Sequence, residues 1–188
     1  NYSNCDEFKN EKISEWKKIL IHITEAPGKE IYFEKVIKAI CESSLYTNKN
    51  CGFIITGDTT IKTDYLEKVY NVLPKDRTIV YDFNDPIDFL NVLYSVDSII
   101  TPKLHVGILG CTYGKAVLSF PIHPEKTTRY YRQIGFPERC NSLYKVSKDE
   151  VKELIEKYIF EKITLSDEIK NKALMNFQLL NQFIEDYM

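Results

Sequence analysis

The chain carries no C-x-x-C pair, and its five cysteines (Cys5, Cys41, Cys51, Cys111 and Cys140) are odd in number and widely spaced. Neither a disulfide framework nor a zinc site is written that way, and the thiols read as reduced and mostly buried in a cytoplasmic protein. No apolar run approaches the length of a membrane span, and no secretory signal heads the chain. A charge bias is missing too, with 25 Lys and Arg against 27 Asp and Glu for a formal net charge of −2. That balance argues against nucleic acid or an anionic membrane as a general partner, so any anion site must come from local clustering. Neither G-x-G-x-x-G nor G-x-x-x-x-G-K occurs, so no nicotinamide, flavin or P-loop site is read. No Ser-His-Asp or Cys-His arrangement is legible from spacing, no metal-ligand cluster stands out, and no cofactor or metal is expected. There is no internal repeat and no low-complexity segment.

What is present is an ordinary globular composition. With 188 residues, 44% apolar and 28% charged, the chain can bury a real core as one domain with appendages. Residues 1–16 are polar and read as a leader or linker. The opening Asn1 in place of Met is expected of a trimmed chain or an excised domain, with an N-terminal partner domain missing.

Short apolar runs at 18–24, 52–56, 78–81, 98–101 and 116–120 read as strands, with a sixth, edge strand at 142–146. Helical spacing at 31–43 and 64–73, and a cap at Asn84 or Asp85 ahead of Pro86, place helices between them. Further helices start near His105, near Lys126, and at Ser147, whose capping box uses Glu150. This alternation predicts an α/β, Rossmann-like fold: an open, mainly parallel sheet of five or six strands with helices on both faces. The Rossmann-like donor-binding domain is expected over residues 17–165. Residues 166–188 form a C-terminal amphipathic helix that packs on it or on a missing partner domain.

The stretch from Ile100 to Gly135 draws the functional reading. A strand ends at Thr101, and Lys103-Leu104-His105 opens a glycine-containing helix. After the next strand come His123, Lys126, Arg129 and Arg132. Two cationic clusters thus follow the carboxyl ends of successive strands, where open parallel sheets hold ligands, and helix N-termini there suit phosphate or carboxylate. Lys126, Arg129 and Gln133 are expected on one helix face. Two readings of each cluster stand at this point: an anion site, or a loop-bonded histidine beside solvated lysines and arginines. Gly107, Gly110 and Cys111 read as residues that let a helix approach the sheet closely. Glu25, Asp58, Asp82, Asn84 and Asp85 sit at predicted strand ends, where turn or cap roles explain them. His22, inside an apolar strand, reads as a core residue.

The strings IITPKLHVGILGCTYGKAVLSFP and HPEKTTRYYRQIG resemble the C-terminal domain of polysaccharide pyruvyl transferases over about Val96 to Cys140. Lys103 stands where that family more often has arginine, and Gly114-Lys115-Ala116 lacks its usual proline. The resemblance implies one half of a GT-B-like two-domain architecture. It also implies transfer of a pyruvyl group from phosphoenolpyruvate to a sugar hydroxyl pair, forming a ketal in bacterial surface polysaccharide biosynthesis. The acceptor would be a saccharide or lipid-linked saccharide. His105 would be the catalytic residue, with Lys103, His105, His123, Lys126, Arg129 and Arg132 binding the donor. Two other readings share the architecture: a nucleotide-sugar-binding domain of a GT-B glycosyltransferase, with the basic patch on a diphosphate, and a non-catalytic anion- or sugar-binding module.

Overall fold

The computed structural model describes residues 15–24, 28–57, 63–83 and 85–187. Five strands, β1 (Lys17–His22), β2 (Cys51–Thr56), β3 (Thr78–Val80), β4 (Ser98–Thr101) and β5 (Ala116–Ser119), form one sheet in the order β3-β2-β1-β4-β5. Every pairing is parallel. Parallel neighbours need crossovers, and helices supply them. α1 spans residues 29–42, with a π-helical turn over Phe33–Ile37. α2 (Ser44–Thr47), α3 (Asp64–Val72), α4 (Pro86–Ser95), α5 (Leu104–Thr112), α6 (Pro124–Gln133), α7 (Lys148–Tyr158) and α8 (Asp167–Tyr187) follow.

Because successive strand residues point to opposite faces, the sheet builds two cores. Ile19, Ile21, Phe53, Ile55, Ile100 and Leu118 face α1, α3 and α7. Leu20, Ile54, Ile99 and Val117 face α4, α5 and α6. Strands covered on both sides read as continuous apolar runs, which is why they stood out in the sequence. The helices from β1 to β2 and from β2 to β3 lie on one face, and those from β3 to β4 and β4 to β5 on the other. The direction of winding therefore reverses between β1 and β4, and a crevice opens at their carboxyl ends.

The helix starts follow local chemistry. Asp85 caps α4 by accepting from the N–H groups of Ile87 and Asp88, with Pro86 in the first turn. Thr63 caps α3 and Ser147 caps α7, the latter through the expected box with Glu150. One expectation fails: residues 142–146 form a turn, not a sixth strand. Lys145 and Val146 donate their N–H groups back to the Ser142 carbonyl at 2.9 and 3.2 Å. The only pairing beyond β5 among the described residues is an isolated bridge from Ser119 to Cys140.

Arg139 is fully buried and plays a structural part. Its guanidinium donates to the Tyr158 carbonyl at 3.0 Å, pairs with Glu161 at 2.8 Å and lies 4.2 Å from the Tyr158 ring. His22 is buried beside Phe89, as a core residue should be.

Candidate functional site

Three strand ends meet at the crevice. A pocket of about 390 Å³ is lined by Thr24 beyond β1, Pro102, Lys103, Leu104 and His105 beyond β4, and Ile122, His123, Glu125, Lys126 and Thr127 beyond β5. Of the predicted site residues, Lys103, His105, His123 and Lys126 share this pocket. Lys103 is half-buried, while His105, His123 and Lys126 are exposed at its mouth.

The turn that delivers Lys103 is held from below. Thr101 is fully buried, and its hydroxyl accepts the Lys103 N–H at 3.0 Å. Lys103 is the N-cap of α5 and His123 the N-cap of α6, and neither supplies a side-chain cap. The opening turns of both helices line the pocket without the N-cap side chains that close α3, α4 and α7, and they add the positive ends of two helix dipoles to the cationic side chains. Such a concavity is suited to oxygen-rich anions, phosphate above all.

Small residues set the spacing between these helices and the sheet. A Cβ on Gly107 would stand 2.6 Å from the Tyr131 hydroxyl of α6, and one on Gly110 2.7 Å from Ile99 Cδ1 and 2.8 Å from Val117 Cγ2. The close approach expected at this glycine pair is present. Cys111, packed in the same layer, has its thiol pushed up to about 11 by burial and is inert at neutral pH.

Arg129 and Arg132 stand apart from this pocket. They line a separate groove of about 650 Å³ with Pro124, Glu125, Thr128, Cys140, Asn141, Ser142, Lys145 and Val146. The stripe formed by Glu125, Thr128, Arg129 and Arg132 runs along one side of α6, and Lys126 and Thr127 occupy the next. Lys126 and Arg129 thus line different cavities, which share Glu125 between them, and Gln133 lines neither. Thr24, Ile122 and Thr127 line the pocket without having been singled out in the sequence, and for Thr24 the reason is that only the strand order brings the end of β1 beside β4. Asp85 serves as a cap, whereas Glu25, Asp58 and Asn84 lie outside the described residues. Among the described residues no group of three His, Cys, Asp or Glu side chains forms a metal-like cluster.

No protein-family model matches the sequence, and no curated protein matches it either. Solved structures do. The UDP-GlcNAc 2-epimerase of Methanocaldococcus jannaschii superposes with a TM-score of 0.57 at 10% identity, covering 87% of this chain and 43% of that one. Staphylococcus aureus MnaA, in a co-structure with UDP, gives 0.49 at 14% identity over 87% and 45% of the two chains. AviGT4, a glycosyltransferase involved in avilamycin A biosynthesis, gives 0.49 at 10% identity over 99% and 56%. The likeness to the epimerase is one of fold, and it agrees with the α/β, Rossmann-like, GT-B-like class expected from the sequence. This chain spans less than half the length of the epimerase.

Proposed function

We propose that this chain is the donor-binding half of a carbohydrate-processing enzyme of GT-B-like architecture, and that the pocket at Lys103 takes the phosphate groups of an activated donor. The observation that carries the proposal is the pairing of two helix N-termini without side-chain caps with Lys103, His105, His123 and Lys126 at the sheet's winding reversal. A nucleoside diphosphate sugar is the first reading. The fold likeness to an enzyme named for UDP-GlcNAc supports it, and an open crevice running from β1 to β5 has room for a donor longer than one phosphate.

Phosphoenolpyruvate is the second reading, favoured by the Lys103-Leu104-His105 motif. In that case a proton passes to the donor's methylene carbon and a sugar hydroxyl attacks the adjacent carbon. Phosphate then leaves, and a second hydroxyl closes the ketal. His105, at the mouth of the pocket, would move the proton, while Lys103 and Lys126 hold the phosphate.

Thermal denaturation with UDP-GlcNAc, UDP and phosphoenolpyruvate separates the readings. The true donor, at 100 times its Kd, stabilises the fold by about 2.7 kcal/mol. Lys103→Gln is expected to remove most of that shift without lowering the melting point of the unliganded protein. Stabilisation by phosphoenolpyruvate alone would replace the first reading with the second. Silence from all three ligands, or a shift that survives Lys103→Gln, would sink the proposal.

A further inference from the structure

The groove on the other side of α6 has an electrostatic character that the donor pocket does not explain. Five surface lysines sit against carboxylates, Lys38, Lys68, Lys148, Lys170 and Lys172 each lying within 3.1 Å of one, whereas single cations such as Lys49, Lys157 and Lys162 form no ion pair among the described residues. Arg129, Arg132 and Lys145 share the groove, and among the described residues none of the three forms an ion pair. Three like charges brought to one groove without ion pairs repel one another, and among the described residues that line it the one carboxylate is that of Glu125.

The wall opposite α6 is also built rather than loose. Lys35 donates to the carbonyls of Leu143 and Val146, both at 2.6 Å, and Leu143 is fully buried beneath the turn. The Asn141 N–H bonds the Ser119 carbonyl at 3.0 Å, and the Asn141 amide donates to Glu138 at 2.8 Å. The backbone that carries Ser142 and Lys145 is thereby fixed facing the two arginines.

We propose that this groove is a second anion site, distinct from the pocket at Lys103, and that it takes a phosphoryl dianion. Three cations against one carboxylate leave an excess that a doubly charged group balances. Two guanidiniums one helical turn apart can each offer paired N–H donors to its oxygens, with the Ser142 hydroxyl beside them. The site stands or falls independently of what the first pocket binds. A phosphoryl group can reach it as free phosphate or as part of a phosphorylated sugar, and two probes tell these apart.

The experiment is a chemical-shift titration of the 188-residue chain with inorganic phosphate and, separately, with glucose 1-phosphate. The expected result is saturable shifts of the amides from Thr128 to Lys145. In Arg129→Gln/Arg132→Gln they should need on the order of tenfold more ligand or more, while in Lys103→Gln/Lys126→Gln they should be unchanged. Tighter binding of glucose 1-phosphate assigns the site to a phosphorylated substrate, and equal binding assigns it to the free anion. Lys145→Gln, on the opposite wall, gives the same readout if the double variant fails to fold. Absence of shifts with both probes, or shifts that persist in the double variant and in Lys145→Gln, would overturn the proposal.

Discussion

Gly110 carries no chemistry, yet it fixes how close α5 lies to the strands that end in the pocket. Two atoms already occupy the space a side chain would need. One, Ile99 Cδ1, can swing aside, but Val117 Cγ2 belongs to a branched residue locked in β5. Gly110→Ala is therefore expected to cost about 1–3 kcal/mol through overpacking, even though alanine is the better helix former. Urea unfolding at equilibrium measures this, and an unchanged or raised midpoint would show that the layer yields more easily than its geometry implies. Other buried polar residues act in the same structural way. Arg77 gives its guanidinium to the carbonyls of Tyr46, Asn48 and Cys51, so a buried arginine in this chain marks a held loop rather than a site.

At the scale of elements, α7 does more than cover the sheet. Its Glu156 accepts from both the N–H and the hydroxyl of Ser44, at 2.6 and 2.5 Å, closing the exposed start of α2. Those two bonds, the hydroxyl's first, hold the Glu156 carboxyl below the usual carboxylate range. A carboxyl depressed on folding stabilises the native state above its unfolded value of about 4.3, and that contribution is lost as pH falls through the lower folded value. Glu156→Gln should accordingly be less stable than the parent at pH 7, and the gap should narrow as pH falls below the unfolded value. A gap that stays constant across that range would mean the contact is not charge-assisted.

The elements themselves were largely legible. Strands buried on both faces announce themselves as apolar runs, and the caps at Asp85 and Ser147 are local in sequence. The misread segment, 142–146, shows the opposite case. Leu143 is buried, Tyr144 and Lys145 are exposed and Val146 is half-buried, so the apolar residues of a turn docked on α1 read as a short strand although the inward-facing pair lies three residues apart rather than two. The site divides the same way. Lys103 with His105, and His123 with Lys126, follow successive strands and could be paired on paper. The separation of Lys126 from Arg129 depends on how α6 is rotated against the sheet, and Thr24 depends on long-range strand order. Neither is written in spacing.

For the molecule as a whole, β1 to β5 with α1 to α7 form the packed body, and the described apolar side chains beyond the first turns of α8 are exposed. Ile169 packs against one core, while Leu174, Met175, Leu179 and Phe183 are 56% to 61% exposed. Among the described residues no helix is long and apolar enough to cross a membrane. Ending the chain after Asn171 is expected to move the melting temperature by less than about 2 °C, since about 1 kcal/mol corresponds to 2–4 °C at this size. A loss above about 5 °C would show that α8 supports the body.

The buried Thr101 hydroxyl beneath the Lys103 N–H has a consequence for the entropy of binding. Because the Lys103 backbone at the mouth of the pocket is already tied to the end of β4, an arriving anion does not have to order that turn. What it must still immobilise includes the outer length of the exposed Lys126 side chain, up to about 2 kcal/mol. The ordering cost of that turn is thus met in folding rather than in binding.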